Sequence, residues 1–147
     1  ALIRFLRLEM ILIDKKTFTA VNESIKDIIT YIEGISFSYL PHKKHLKLLL
    51  IADEVISNII KYAYEKQQQD KSLTIETYCE DNYFILRFVD KGKPFNQLKH
   101  IAVNNITDLA QASPGGVGRI FIKTFADDSK YEYADRQNIL TLKVQCN

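Results

Sequence analysis

Two oxygen-bearing side chains stand four residues apart at Glu54 and Asn58. On a helix that spacing puts both on one stripe. A carboxylate beside an amide oxygen suits magnesium, which prefers hard oxygen ligands and keeps several waters. Glu54 would then serve as a general base toward a water or a hydroxyl. The plainer reading of the same pair is a solvated helix edge.

A second cluster is Asp90-Lys91-Gly92-Lys93-Pro94-Phe95. Asp90 ends an apolar run, and Gly92 and Pro94 break the chain just after it. A carboxylate there accepts a hydrogen bond from an amine such as that of adenine. Gly92 lets backbone approach a flat ring. The alternative is an ordinary strand-to-loop turn, since Asp, Gly and Pro all favour turns. The third cluster is Gly115-Gly116-Val117-Gly118. Glycines that open a helix expose backbone N–H groups to phosphate. They could equally form a hinge and cap. No Gly-Lys-Ser/Thr follows, so this is not a Walker A loop.

Residues 4–13 are expected as a strand, although the apolar run also allows a helix. A helix is predicted over 17–33, with Thr17 as N-cap and Gly34 as its stop. A second helix runs from Pro41 to about Glu65, its apolar stripe passing through Leu48, Val55 and Ile59. The period then falls to two. Leu73 to Cys79 and Phe84 to Phe88 form a hairpin around Glu80-Asp81-Asn82. Residues 91–116 carry two of the three prolines and little periodicity, and a loop of that length is usually functional. A short helix over 117–125 and strands 130–134 and 139–146 complete the chain, with a turn at 135–138. This order predicts one α+β domain over 1–147. It would be a two-layer α/β sandwich with a mixed, mainly antiparallel sheet and helices on one face.

Composition fits that plan. The chain has 147 residues, 46% apolar and 26% charged, with a net charge of +2. That length suits one core. The charge is too small to argue for a nucleic-acid or membrane partner. The longest aliphatic run, Leu48 to Ala52, falls far short of a bilayer span. Cys79 and Cys146 have no paired spacing and are expected as buried thiols in a reducing cytoplasm. His42 and His45 make a helical pair with no third ligand, which argues against zinc.

Taken together, the three clusters would supply metal and base, adenine, and phosphate contacts for one ligand. Over nearly its whole length the chain resembles the Bergerat-fold ATPases, the superfamily of gyrase and the histidine kinases. Within it, the chain is most similar to the small anti-sigma-factor serine/threonine kinases. The carriers are "IADEVISNIIKYAYE", "LRFVDKGKPFN" and "GGVGRIFIKTFADDSKYEY". The resemblance implies ATP and Mg²⁺ as cofactors. It implies Asn58 as the metal ligand, Glu54 as general base, and Asp90 on the adenine amine with Gly92 against the base. It makes about 96–113 a lid, and gives Gly116 and Gly118 to the phosphates. It also implies protein partners, a sigma factor and a serine-bearing antagonist, and a homodimer.

Three positions depart from the family pattern. Tyr62 stands where His is frequent, and Arg119 where an aliphatic residue is usual. "NILTLKV" lacks the common Gly-Thr pair, leaving Thr141 as the adenine-side candidate. The reading is therefore an ATP-dependent protein kinase in a partner switch. Its alternative is a regulatory module of the same fold that binds nucleotide or partner without transfer. A third reading is a degenerate member serving only as an interaction surface, against which the intact Glu54, Asn58 and Asp90 argue.

Overall fold

The computed structural model describes residues 9–64, 70–99 and 122–147. Five strands form one sheet: β1 (Ile11–Thr19), β2 (Ser72–Glu80), β3 (Tyr83–Asp90), β4 (Asp128–Ala134) and β5 (Gln137–Gln145). Their spatial order is β1-β2-β3-β5-β4, and every pairing is antiparallel. The expected mixed sheet is thus wholly antiparallel among the described residues. Two helices precede β2: α1 (Ile25–Ser36) and α2 (His42–Asn58). A π-helical turn, Ile59–Ala63, continues α2.

Alternation sets the two faces of the sheet. Leu73, Ile75, Phe84, Leu86, Phe88, Leu140, Leu142 and Val144 point inward and are buried. They share one core with Ile28 and Ile32 of α1 and with Leu48, Ala52, Val55 and Ile56 of α2. The opposite face carries charge, with Glu76 reached by Lys15 and Arg87, and Glu80 by Lys143. Among the described residues, no helix is long and apolar enough to cross a membrane.

The first third of the chain departs from expectation. The first strand lies at 11–19, not 4–13; residues 1–8 fall outside the described residues. Thr17 is not a helix cap. It sits in β1 with its hydroxyl 2.8 Å from that of Thr74. The reason lies in Phe18, which fits a helical spacing with Val21 and Ile25 but also packs from a strand. Its ring lies 5.5 Å from that of Tyr31 on α1, whose hydroxyl donates to Asp14 at 2.6 Å. Gly34 does not stop α1, which continues through Ser36.

The rest of the pattern holds more closely. The 81–82 turn joins β2 to β3 as expected. Asp135 and Arg136 both have positive φ, 53° and 62°, as a tight two-residue hairpin demands. That turn is two residues long, so Asn138 belongs to β5 rather than to the turn. Cys79 and Cys146 are free and half-buried, not fully buried. Of the predicted 117–125 helix, residues 122–125 are described and are helical.

Candidate functional site

The end of α2 carries the first pair. Asn58 is its last residue and is 3% exposed; Glu54, one turn earlier, is half-buried at the margin of the apolar stripe. Asn58 Nδ2 donates to Gln97 Oε1 at 3.3 Å, deep in the fold. Among the described residues, that bond leaves the amide oxygen of Asn58 as the atom available to a cation. Gln97 is itself 3% exposed.

The π turn after Asn58 shapes the next contact. Tyr64 N–H reaches back to Ile59 O at 3.2 Å, an i→i+5 bond that widens the helix. Ala63 O thereby receives Lys93 N–H at 3.0 Å. Gly92 lies against the same carbonyl. A Cβ at Gly92 would stand 2.5 Å from Ala63 O and 2.7 Å from Ala63 Cβ. No glycine among the described residues has positive φ, so space and not dihedral freedom dictates glycine here. The Tyr64 hydroxyl completes the clamp, accepting from Lys91 N at 2.7 Å and donating to Ser72 O at 2.6 Å. Burial pushes that phenol up to about 12.

Asp90 ends β3 and is 2% exposed. Its partner in the β3–β5 register is Asn138. Asp90 Oδ1 accepts from Gly92 N at 2.9 Å and from Asn138 Nδ2 at 2.8 Å. Desolvation raises the carboxyl above the usual aspartate range; the bonds from Asn138 and Gly92 pull it back in part. Among the described residues both donors fall on Oδ1, which leaves Oδ2 to accept from something else.

Asn138 is the residue the sequence reading missed. Its Nδ2 also donates to Lys93 O at 2.8 Å, with Gly92 O farther off at 3.4 Å. Its Oδ1 accepts from Phe95 N at 2.9 Å and from the Tyr131 hydroxyl at 2.6 Å. One signal was present: Asn138 shares the inward phase of Leu140, Leu142 and Val144. A polar residue in that phase must find partners. Thr141 lies in the outward phase, on the other face of the sheet, and accepts from Arg87 Nε at 3.1 Å.

The Asp90–Gln97 segment therefore links the two expected half-sites. It meets the π turn at Gly92 and Lys93, and the end of α2 at Gln97. Between them Phe95 stacks on Tyr62, ring centroids 5.2 Å apart. Gly116, Gly118, Arg119 and residues 100–113 of the expected lid lie outside the described residues. His45, the second of the two helical histidines, lies on α2. It is buried with Nδ1 2.9 Å from Ser36 Oγ, while His42 is exposed.

Residues 18–144 match the model of the histidine kinase-like ATPase domain family. The chain belongs to that family. Solved structures show the same fold. A chain of the SiaB–SiaC complex from Pseudomonas aeruginosa superposes with a TM-score of 0.67 at 14% identity. The match covers 90% of this chain and 89% of that one. The histidine kinase AdeS of Acinetobacter baumannii superposes with a TM-score of 0.51 at 17% identity, over 98% of this chain and 71% of the other. No curated protein sequence matches this ATPase domain.

Proposed function

We propose that this domain binds Mg-ATP and transfers its γ-phosphoryl group to a serine or threonine of a protein partner. The observation that carries the binding half is the Asp90 carboxylate. It is buried and held at Oδ1 by two N–H donors, and among the described residues Oδ2 is left to accept. An exocyclic amine of adenine is a donor of the right kind. The residues fit the metal as well: Asn58 offers a hard oxygen at the end of α2, and one protein oxygen plus phosphates and water suffices for Mg²⁺.

Bound Mg-ATP would supply the transferable phosphoryl group and the cation that offsets its charge. The chain's own residues do the rest. Asp90 orients the base. Asn58 fixes the cation's place beside α2. Glu54, one helical turn away, accepts the proton of the attacking hydroxyl. Gly116 and Gly118 would offer backbone N–H groups to the phosphates.

The fold also occurs in the SiaB–SiaC complex, which supports a protein partner. The anti-sigma-kinase resemblance supports a partner switch with a sigma factor and its antagonist, a homodimeric kinase, and the cytoplasm as the compartment. The test is calorimetric titration of Mg-ATP into wild type and Asp90→Ala, followed by γ-labelled ATP with candidate acceptors. Binding lost in the variant and label on a serine or threonine support the reading. Binding without label on any acceptor leaves the non-catalytic module. No binding by folded wild type ends both.

A further inference from the structure

We propose that Asn138 is a positioning residue that holds the Asp90 carboxylate as an acceptor and so favours adenine over guanine at this site. The inference rests on the nucleotide reading above and adds a residue to it.

An asparagine side chain offers two N–H donors and an oxygen with two lone pairs. Asn138 uses all four within the protein. The donors go to Asp90 Oδ1 and Lys93 O. The oxygen takes Phe95 N–H and Tyr131 O–H. The amide has one workable orientation. Turned over, it would set oxygen against Asp90 Oδ1 and Lys93 O, and N–H groups against Phe95 N–H. At 4% exposure, no water shell would offset that mismatch.

Two consequences follow. Asn138 has no group left for a ligand, so it acts through Asp90. And Asp90 cannot rotate freely, because Oδ1 is held by Asn138 on β5 and by the Gly92 N–H in its own loop. The bond from Asn138 also favours the ionised carboxylate, and an ionised carboxylate shows a base only an acceptor. Adenine offers its exocyclic amine to that acceptor; guanine held in the same pose would set its carbonyl oxygen against it.

The phenols of Tyr64 and Tyr131 both feel the charge of Asp90, and both are shifted upward. Neither ionises near neutral pH. Neither phenol therefore contributes to changes in binding as pH falls from 8.

The sharpest variant is Asn138→Asp. Its carboxylate keeps Phe95 N–H and Tyr131 O–H but faces Asp90 with like charge. Two carboxylates that close cannot both ionise, and they titrate as a pair. One proton between them restores a donor to Asp90 Oδ1. Wild type should bind Mg-ATP less tightly as pH falls from 8 toward the point where Asp90 takes up its proton. Asn138→Asp should bind at least about tenfold more weakly at pH 8 and recover as pH falls. Asn138→Leu, which supplies no donor, should show no recovery and a lower preference for Mg-ATP over Mg-GTP.

Calorimetry across that pH range reads these outcomes, with thermal unfolding to confirm folded variants. Carbon-13 NMR titration of Asp90 in nucleotide-free protein gives a second reading: Asn138→Leu should raise its midpoint. A wild-type pH profile in Asn138→Asp overturns the proposal. So does an unchanged Asp90 midpoint in Asn138→Leu, whether or not nucleotide binds. A raised midpoint with no nucleotide binding by wild type instead overturns the nucleotide reading, and base selection with it.

Discussion

Gly92 lies so close to Ala63 that a single added methyl would stand 2.5 Å from the Ala63 carbonyl oxygen. Gly92→Ala must therefore move either the π turn or the loop that follows Asp90. Overpacking of this kind costs about 1–3 kcal/mol. Thermal or denaturant unfolding should show that loss, and calorimetry should show weaker Mg-ATP binding, because Gly92 N–H also holds Asp90. Ala63→Gly should not rescue the variant, since the obstructing carbonyl remains. Full rescue would place the clash at the Ala63 methyl instead.

Asp90→Asn separates structure from recognition. The new amide oxygen still accepts from Gly92 N–H and Asn138 Nδ2, while its nitrogen replaces the oxygen left to the base. Burial raises the folded-state pKa of Asp90 above its unfolded value. The folded state therefore holds the proton more tightly. The destabilising cost of the buried charge is fully present above the folded pKa and is relieved as pH falls through it. Asp90→Asn should remove that cost, so its stability near pH 7 should equal or exceed that of wild type. Its Mg-ATP affinity should fall at least about tenfold. A drop in unfolding midpoint would mean that the charge itself holds the loop.

The same contrast explains what could be read in the sequence. The β2–β3 hairpin was legible because strict alternation met a turn of the right length. Glu54 and Asn58 were legible because a spacing of four fixes a common stripe. β1 was misplaced because Phe18 fits both a strand below Tyr31 and a helical stripe with Val21. Asn138 was hidden by its neighbour. A turn two residues long, Asp135-Arg136, hands Asn138 to the strand, whereas a four-residue turn would have left it outside. Only the register opposite Asp90 reveals its partner. Gln97, in the stretch without periodicity, gave no signal; its burial depends on meeting Asn58 from 39 positions away.

Tyr64→Phe tests the clamp between the π turn and the sheet. The ring fits unchanged, but Ser72 O loses its donor and Lys91 N its acceptor. Unmade buried bonds cost about 1–3 kcal/mol each, less where water reaches the freed group. The midpoint should fall, with faster amide exchange at Lys91. Unchanged exchange there would show that the hydroxyl does not hold the loop.

Glu54 and Asn58 share a helix face but are assigned different tasks, so their variants should fail differently. Glu54→Gln keeps the shape and removes the base. Mg-ATP affinity should stay within about twofold, while transfer to an acceptor protein falls about 10²–10⁴-fold, the usual worth of a positioned base. Asn58→Leu removes the amide oxygen and leaves Gln97 Oε1 without its donor. Its loss should appear in binding, and chiefly in the part that depends on magnesium. Titrating ATP with and without Mg²⁺ isolates that part: wild type should bind more tightly with the metal, and Asn58→Leu should show little difference. If Glu54→Gln transfers phosphate at the wild-type rate, Glu54 is not the base, and the acceptor hydroxyl gives up its proton elsewhere. If Asn58→Leu keeps the full magnesium effect, the cation is held by phosphates and water alone, and the buried Asn58–Gln97 bond serves only to seat the loop on α2.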